Sequence, residues 1–341
     1  IYDTKKPDAK ISEYKIEEAD YKTLTSAGVK TGKAFSLKGI ATDDWSVTSA
    51  TLTQTFKPKQ NESGEQQTEK SLTLTLELGT DGSWEVGNLP RSYEQGKENE
   101  AALITGDYEY KLVVKDKAGN ETQTILNVEV DTTAPQITVN DLKGQNNNEF
   151  INTKNFSITG TIVESNLSTA TAKLVKKDGS YFATGQISPD NDGSFSWKVY
   201  EVADGEYTVE VYAIDSFGNN TTEKGSSFTV DTIAPVSTLT VAENTVYDNT
   251  GKAVTELTSG STYYVKDKYT LSGTVTETNF KSAKLGEETL TASSGPWSKE
   301  ITPNDETTKT QKITLEDKAG NKTVYTVYVT KDTSAPDLTV T

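Results

Sequence analysis

The chain has 341 residues, 50 of them Asp or Glu against 34 Lys or Arg, for a net charge of −16. Having no Cys, His or Met, it can make no disulfide, thiolate site or imidazole base and no ordinary zinc or haem ligand set, which leaves carboxylate chemistry. A lone arginine, Arg91, in a diffusely acidic chain argues against nucleic acid and anionic membrane surfaces, since phosphate binding needs clustered cations.

The first predicted junction is Asp3-Thr4-Lys5-Lys6-Pro7. A strand follows at Phe35-Ser36-Leu37-Lys38-Gly39, with Asp43 four residues beyond its glycine. Between Leu52 and Leu72, residues 57–69 are rich in Gln, Glu and Lys and read as an inserted loop or lengthened hairpin. Asp81-Gly82-Ser83-Trp84 turns into another strand, Gly106-Asp107-Tyr108 opens the next, and Asp116-Lys117-Ala118-Gly119-Asn120 closes it with a turn.

The same sentence is then repeated. Asp131-Thr132-Thr133-Ala134-Pro135 leads into strands at 136–139, 156–162, 172–175, 181–187, 195–199, 206–214 and 227–230, with Glu164 after Gly160 and the turn Asp215-Ser216-Phe217-Gly218-Asn219. The third copy opens at Asp231-Thr232-Ile233-Ala234-Pro235 and carries an excess at 242–261. Its strands are expected at 269–275, 297–301, 310–315 and 323–329, with Glu277 after Gly273 and the turn Asp317-Lys318-Ala319-Gly320-Asn321. Asp332-Thr333-Ser334-Ala335-Pro336 begins what reads as a fourth.

Junctions at 131, 231 and 332 are a whole domain apart rather than a solenoid repeat apart. The predicted organisation is therefore 1–130, 131–230, 231–331 and the start of a following repeat at 332–341. Seven short alternating strands in about 100 residues fit an immunoglobulin-like β-sandwich. The expected fold is all-β: tandem sandwiches arranged as an elongated rod, with no convincing helical period. Tyr108 and Tyr207 fall where a tyrosine corner sits, whereas the third copy has Lys309 there. Trp84 and Trp297 recur at strand starts and read as core; Trp45, beside Asp43 and Asp44, is expected to be edge-packed.

Asp192-Gly193-Ser194-Phe195-Ser196-Trp197, Ala203-Asp204-Gly205-Glu206-Tyr207-Thr208-Val209 and the turns and junctions above resemble the bacterial Ig-like repeats of large surface proteins and adhesins. The resemblance spans essentially the whole chain and is strongest in the second copy. It implies an exported bacterial protein, at the cell surface or secreted, in which such repeats serve mostly as spacers and sometimes as binding tips. In several relatives calcium sits at domain junctions. No apolar run approaches the length of a membrane helix, no signal peptide is visible, and the missing Met suggests a piece of something longer.

In such a sandwich the second-to-third strand loop and the last hairpin lie at the end where the first strand enters. Three acidic positions per copy should then converge: Asp3, Asp43 and Asp116; Asp131, Glu164 and Asp215; Asp231, Glu277 and Asp317. Calcium takes six to eight oxygens, which two or three carboxylates with carbonyls and water can supply. The alternative is structural: Asp before Lys-Ala-Gly-Asn is a good turn former, with Gly and Asn tolerating positive φ, and Asp-Thr-Thr-Ala-Pro a linker. The expected function is a non-enzymatic stalk supporting adhesion to a host or neighbouring-cell protein or glycan. The competing reading is an accessory glycan-binding module of a secreted polysaccharide-active enzyme.

Overall fold

The computed structural model describes residues 2–58, 68–145 and 147–334, all of them in strands, turns and loops. Alternation decides the architecture. Gly106–Asp116 buries every second side chain from Gly106 to Asp116, and Gly205–Asp215 does nearly the same. A strand with this pattern has one dry and one wet face, so two sheets must close on each other.

Three such pairs of sheets form three separate hydrophobic cores. In the first, Asp8–Ile16, Phe35–Thr42 and Ser83–Leu89 face Val29–Thr31, Glu121–Val130, Gly106–Asp116, Val47–Lys57 and Lys70–Thr75. Phe35, Leu37, Leu52, Tyr110 and Leu112 lie fully buried between them. In the second, Gln136–Val139, Phe156–Val163 and Ser194–Val199 face a sheet built on Leu167–Lys176 and Gly205–Asp215. In the third, Tyr269–Thr276 and Gly295–Ile301 face a sheet built on Phe280–Leu285, Lys309–Asp317 and Lys322–Lys331.

One glycine per unit sets this geometry. A Cβ on Gly39, Gly160 or Gly273 would stand 1.9, 2.0 or 2.2 Å from the carbonyl oxygen of Lys10, Thr138 or Thr238, where the first strand crosses closely. Directly opposite in register lie Trp84, Phe195 and Trp297, whose rings cover the bare backbone. An aromatic ring over a strand glycine restores the buried area that the missing side chain forfeits. This explains why the acidic residue four positions later is delivered to the same end of every unit.

Several elements depart from expectation. Besides the seven strands foreseen in the second unit, Phe150–Ile151 and Asn220–Lys224 are present. Phe150–Ile151 pairs in parallel with Phe228–Val230, as Val29–Thr31 does with Glu121–Val130 and Thr262–Val265 with Lys322–Lys331. Such short parallel pieces carry no periodicity to read. The excess at 242–261 contains a small hairpin, Val246–Tyr247 with Ala253–Val254. Most of the 57–69 insertion lies outside the described residues, as do 335–341 of the following repeat; the flanking strands Val47–Lys57 and Lys70–Thr75 pair antiparallel. Tyrosine corners occur in two units: Tyr108 Oη donates to Ile104 O at 3.0 Å and Tyr207 Oη to Ala203 O at 2.9 Å. In the third, Lys309 is exposed at a strand start.

Candidate cation sites at the unit junctions

Each junction Asp folds back on its own chain. Asp3, Asp131, Asp231 and Asp332 accept, through Oδ1, the N–H of Lys5, Thr133, Ile233 and Ser334 at 2.9, 2.9, 3.3 and 3.0 Å. This is the Asx-turn geometry that short carboxylates favour. It uses one oxygen, and in Asp131 and Asp231 the other, Oδ2, is approached by Asn166 and Asn279 of the unit that follows.

The acidic residue after the strand glycine behaves alike. Glu164 Oε1 accepts the N–H of Asn166 at 2.8 Å and Glu277 Oε1 that of Asn279 at 2.9 Å, while Asp43 Oδ1 accepts from Trp45 at 2.9 Å. Asp43 Oδ2 is buried and has no hydrogen-bond partner. An orphaned buried carboxylate oxygen is expensive, so this atom is suited to a cation.

The turn Asp completes each set from inside the fold. Asp116, Asp215 and Asp317 are 2, 2 and 0 % exposed. Their Oδ1 atoms accept backbone N–H groups of their own turns, from Asn120 at 2.8 Å, Phe217 and Asn219 at 2.8 and 2.9 Å, and Gly320 and Asn321 at 2.7 and 2.8 Å. The turn closes because Gly119, Gly218 and Gly320 take φ of 92, 92 and 94°, open to glycine at little cost.

The Asn after that glycine does not share the positive φ expected of it. Its side chain instead ties the turn to the junction. Asn120, Asn219 and Asn321 donate through Nδ2 to the Oδ2 of Asp116, Asp215 and Asp317 at 2.7, 2.8 and 2.8 Å. The same amides reach the backbone oxygens of Asp3, Asp131 and Asp231 at 3.3, 2.7 and 2.8 Å. These three Asn residues were missed as functional positions, although their place at the end of every repeated turn was the available signal.

The structure brings two of the three acidic sets together. One carboxylate oxygen from each of Asp3, Asp43 and Asp116 lies within 4.8 Å of the others, and so it is for Asp131, Glu164 and Asp215. Asp231, Glu277 and Asp317 do not close into such a cluster, and there Asn279 Nδ2 donates to Asp231 Oδ2 at 2.8 Å. The corresponding approach of Asn166 to Asp131 is 3.4 Å, and Trp45 stands at that position in the first unit. Burial, helped by the charges of Asp215 and Asp131, raises the Glu164 carboxyl above its ordinary range. Asp317 is raised by burial and by the charge of Asp231. Clustered, desolvated carboxylates of this kind are eased by a positive charge placed among them.

The candidate aromatic positions divide. Trp84 and Trp297 are 3 and 5 % exposed and belong to the cores. Trp45 is 55 % exposed, which corrects its expected edge packing: it follows the Asp43 turn, outside any strand that would press it against the core.

Residues 133–232 match a family described as bacterial Ig-like domain, and residues 191–331 match bacterial Ig-like domain (group 3). No curated protein matches the chain. Among solved structures, the tetra-tandem repeat in the extending region of a large adhesion protein is 19 % identical with a TM-score of 0.30, covering 94 % of this chain and 74 % of that one. A structure described for host cell surface retention of a 1.5-MDa bacterial ice-binding adhesin is 19 % identical, TM-score 0.35, covering 89 and 92 %. The titin I-band fragment I67–I69 is 10 % identical, TM-score 0.45, covering 95 and 100 %. Among the described residues no helix is long and apolar enough to cross a membrane.

Proposed function

We propose that this chain, which belongs to the bacterial Ig-like domain family, is a non-catalytic stalk segment of a bacterial surface protein, its unit junctions stiffened by divalent cations. The observation that carries the reading is the joint itself. In all three units a conserved-by-repetition Asn amide bonds both the turn carboxylate and the backbone of the junction Asp. The chain spends its repeated chemistry on where one unit meets the next.

Calcium is the candidate ion. Asp3, Asp43 and Asp116 would hold it in the first unit, and Asp131, Glu164 and Asp215 in the second, each bringing one carboxylate oxygen within 4.8 Å of the others in its set. The buried, partnerless Asp43 Oδ2 favours such an occupant. Bound there, the ion would supply the counter-charge that lets three carboxylates share one end of a sandwich, and so fix the linker against the turn. Asp231, Glu277 and Asp317 should bind more weakly, with Asn279 competing for Asp231. A stalk of this kind would sit outside the cell and present a distal domain to a host or neighbouring-cell protein or glycan.

The test is a calcium titration with EDTA as control, followed by small-angle scattering and melting. Millimolar calcium should lengthen the particle and raise its melting temperature, and Asp215→Asn should remove the second unit's share. Shape and stability that ignore calcium would reduce the clusters to turn and linker chemistry. A second reading has one observation behind it: the exposed Trp45 could stack on a sugar ring, as an accessory glycan-binding module would require. Retention on a glycan affinity gel that is lost in Trp45→Ala would favour it; no sugar-dependent retention would leave the stalk.

A further inference from the structure

Two buried residues belong to no core. Phe217 is 7 % and Ala319 0 % exposed, yet both sit at the third position of a turn and outside the hydrophobic clusters of their units. What covers them is the preceding unit. At the first joint Gly32 N donates to Phe217 O at 2.9 Å, and Lys30 Nζ stands 5.4 Å from the centre of the Phe217 ring. At the second joint Asn148 Nδ2 donates to Lys318 O at 2.9 Å, and Lys318 Nζ stands 5.2 Å from the centre of the Phe150 ring.

The two joints use one plan with its polarity reversed. Each consists of a turn carbonyl accepting a hydrogen bond across the joint and a lysine over an aromatic ring. The receiving side is always the short parallel strand of the preceding unit, Val29–Thr31 or Phe150–Ile151. Lys30 pairs with Glu129 in that strand, and Phe150 with Thr229 one residue before the strand's end, so the two are structurally equivalent.

The third unit has the same receiving strand, Thr262–Val265, and Tyr264 takes the place of Phe150, opposite Thr330. Tyr247 lies beside Tyr264 in register, and the two line a cleft with Asn249 and Asp332. Asp332 N donates to Val265 O at 2.9 Å, as Asp231 N does to Ile151 O at 2.8 Å. This end therefore offers an aromatic ring for a lysine and a side-chain amide for a carbonyl, the two groups that seat Lys318. At the other end of the chain, the turn of the first unit has the sequence of the third, Lys117-Ala118-Gly119-Asn120, and there Lys117, Ala118 and Gly119 are exposed.

We propose that the Tyr264 end of the third unit is a docking surface for a further Ig-like unit bearing an Asp-Lys-Ala-Gly-Asn turn, its lysine seated on the Tyr264 ring as Lys318 is seated on Phe150. The contact is heterologous, a turn on one face meeting a strand on the opposite face, so it extends without closing. Cation–π pairs of this kind add modest energy at exposed sites and act here to set the angle between tethered neighbours.

The proposal rests on the stacked arrangement of the stalk, and one experiment separates the two. Two copies are joined in tandem so that Thr4 of the second follows Asp332 of the first, which then stands in the place of Asp3. Because the chain has no cysteine, paired substitutions to Cys can be linked selectively with a short bis-maleimide. Tyr264→Cys in the first copy with Lys117→Cys in the second should link on the order of tenfold faster than Tyr264→Cys with Thr73→Cys, the advantage coming from effective concentration at a seated contact. The internal pair Phe150→Cys with Lys318→Cys is the reference for a formed joint. If the internal pair links fast and the Tyr264 pair no faster than the Thr73 control, the docking surface is refuted while the stack stands. If neither links, both fall.

Discussion

Replacing Asn219 by Ala should cost the second unit more than its position in a turn suggests. The amide makes a bond to the Asp215 carboxylate at 2.8 Å and one to the Asp131 carbonyl at 2.7 Å. A hydrogen bond to a charged group contributes about 1.5–3 kcal/mol and a neutral one about 0.5–1.5 kcal/mol. Asp215 is 2 % exposed, so water replaces the lost donor poorly, although two backbone N–H groups still serve its other oxygen. The expected loss is about 2–4 kcal/mol. For a unit of this size that corresponds to a fall of roughly 10–20 °C in its melting transition. Calorimetry of the whole chain, with calcium removed, should show one transition moving by that amount. Asn219→Asp should do worse than Ala in the same buffer, because it adds a fourth carboxylate to Asp131, Glu164 and Asp215. A shift below about 2 °C for Asn219→Ala would show that the amide is dispensable and that the junction argument is wrong.

The raised Glu164 carboxyl gives a pH signature. A carboxyl raised in the folded state favours folding when protonated, and that contribution is lost as pH rises through its folded value. In metal-free buffer, the wild-type melting temperature measured against Glu164→Gln should therefore fall between acid and neutral pH; a constant difference would contradict the clustering. Gly160→Ala would place a Cβ 2.0 Å from Thr138 O and 2.7 Å from the Phe195 ring, and should destabilise the second unit by about 1–3 kcal/mol in urea unfolding. An unchanged midpoint would mean that the first strand is free to move away. Tyr207→Phe deletes the bond to Ala203 O and should cost about 1 kcal/mol by the same measurement. Full stability in that variant would make the corner ornamental.

Alternation made the sheets readable. Residues 156–162 and 206–214 advertise a buried face at every second position, and the structure extends each by only a residue at one or both ends. The convergence of Asp131, Glu164 and Asp215 was readable too, because a strand glycine and a hairpin turn fix where each chain segment reverses. What periodicity cannot express stayed hidden. Phe150–Ile151 is too short to alternate. The third set does not close although its Glu-Thr-Asn is nearly identical to the Glu-Ser-Asn of the second unit; the Asn amide stands 2.8 Å from Asp231 in one and 3.4 Å from Asp131 in the other, a difference that the sequence does not carry. Phe217 and Ala319 are buried by a neighbouring unit, whereas the same turn position in the first unit, Ala118, is exposed. No local pattern reports that difference, because its cause lies in the early part of the preceding unit, far back in the chain.

The short parallel strands also determine how each unit would answer a pull along the chain. Tension between neighbouring units draws the early strand and the final strand of a sandwich in opposite directions, and side-by-side parallel pairing sets their bonds in shear, so that they must break together rather than peel one at a time. The first unit pairs over three positions, the second over two and the third over four. Under a rising load the second unit should yield first, and its roughly one hundred residues of stored length would absorb the stretch while the units on either side stay folded.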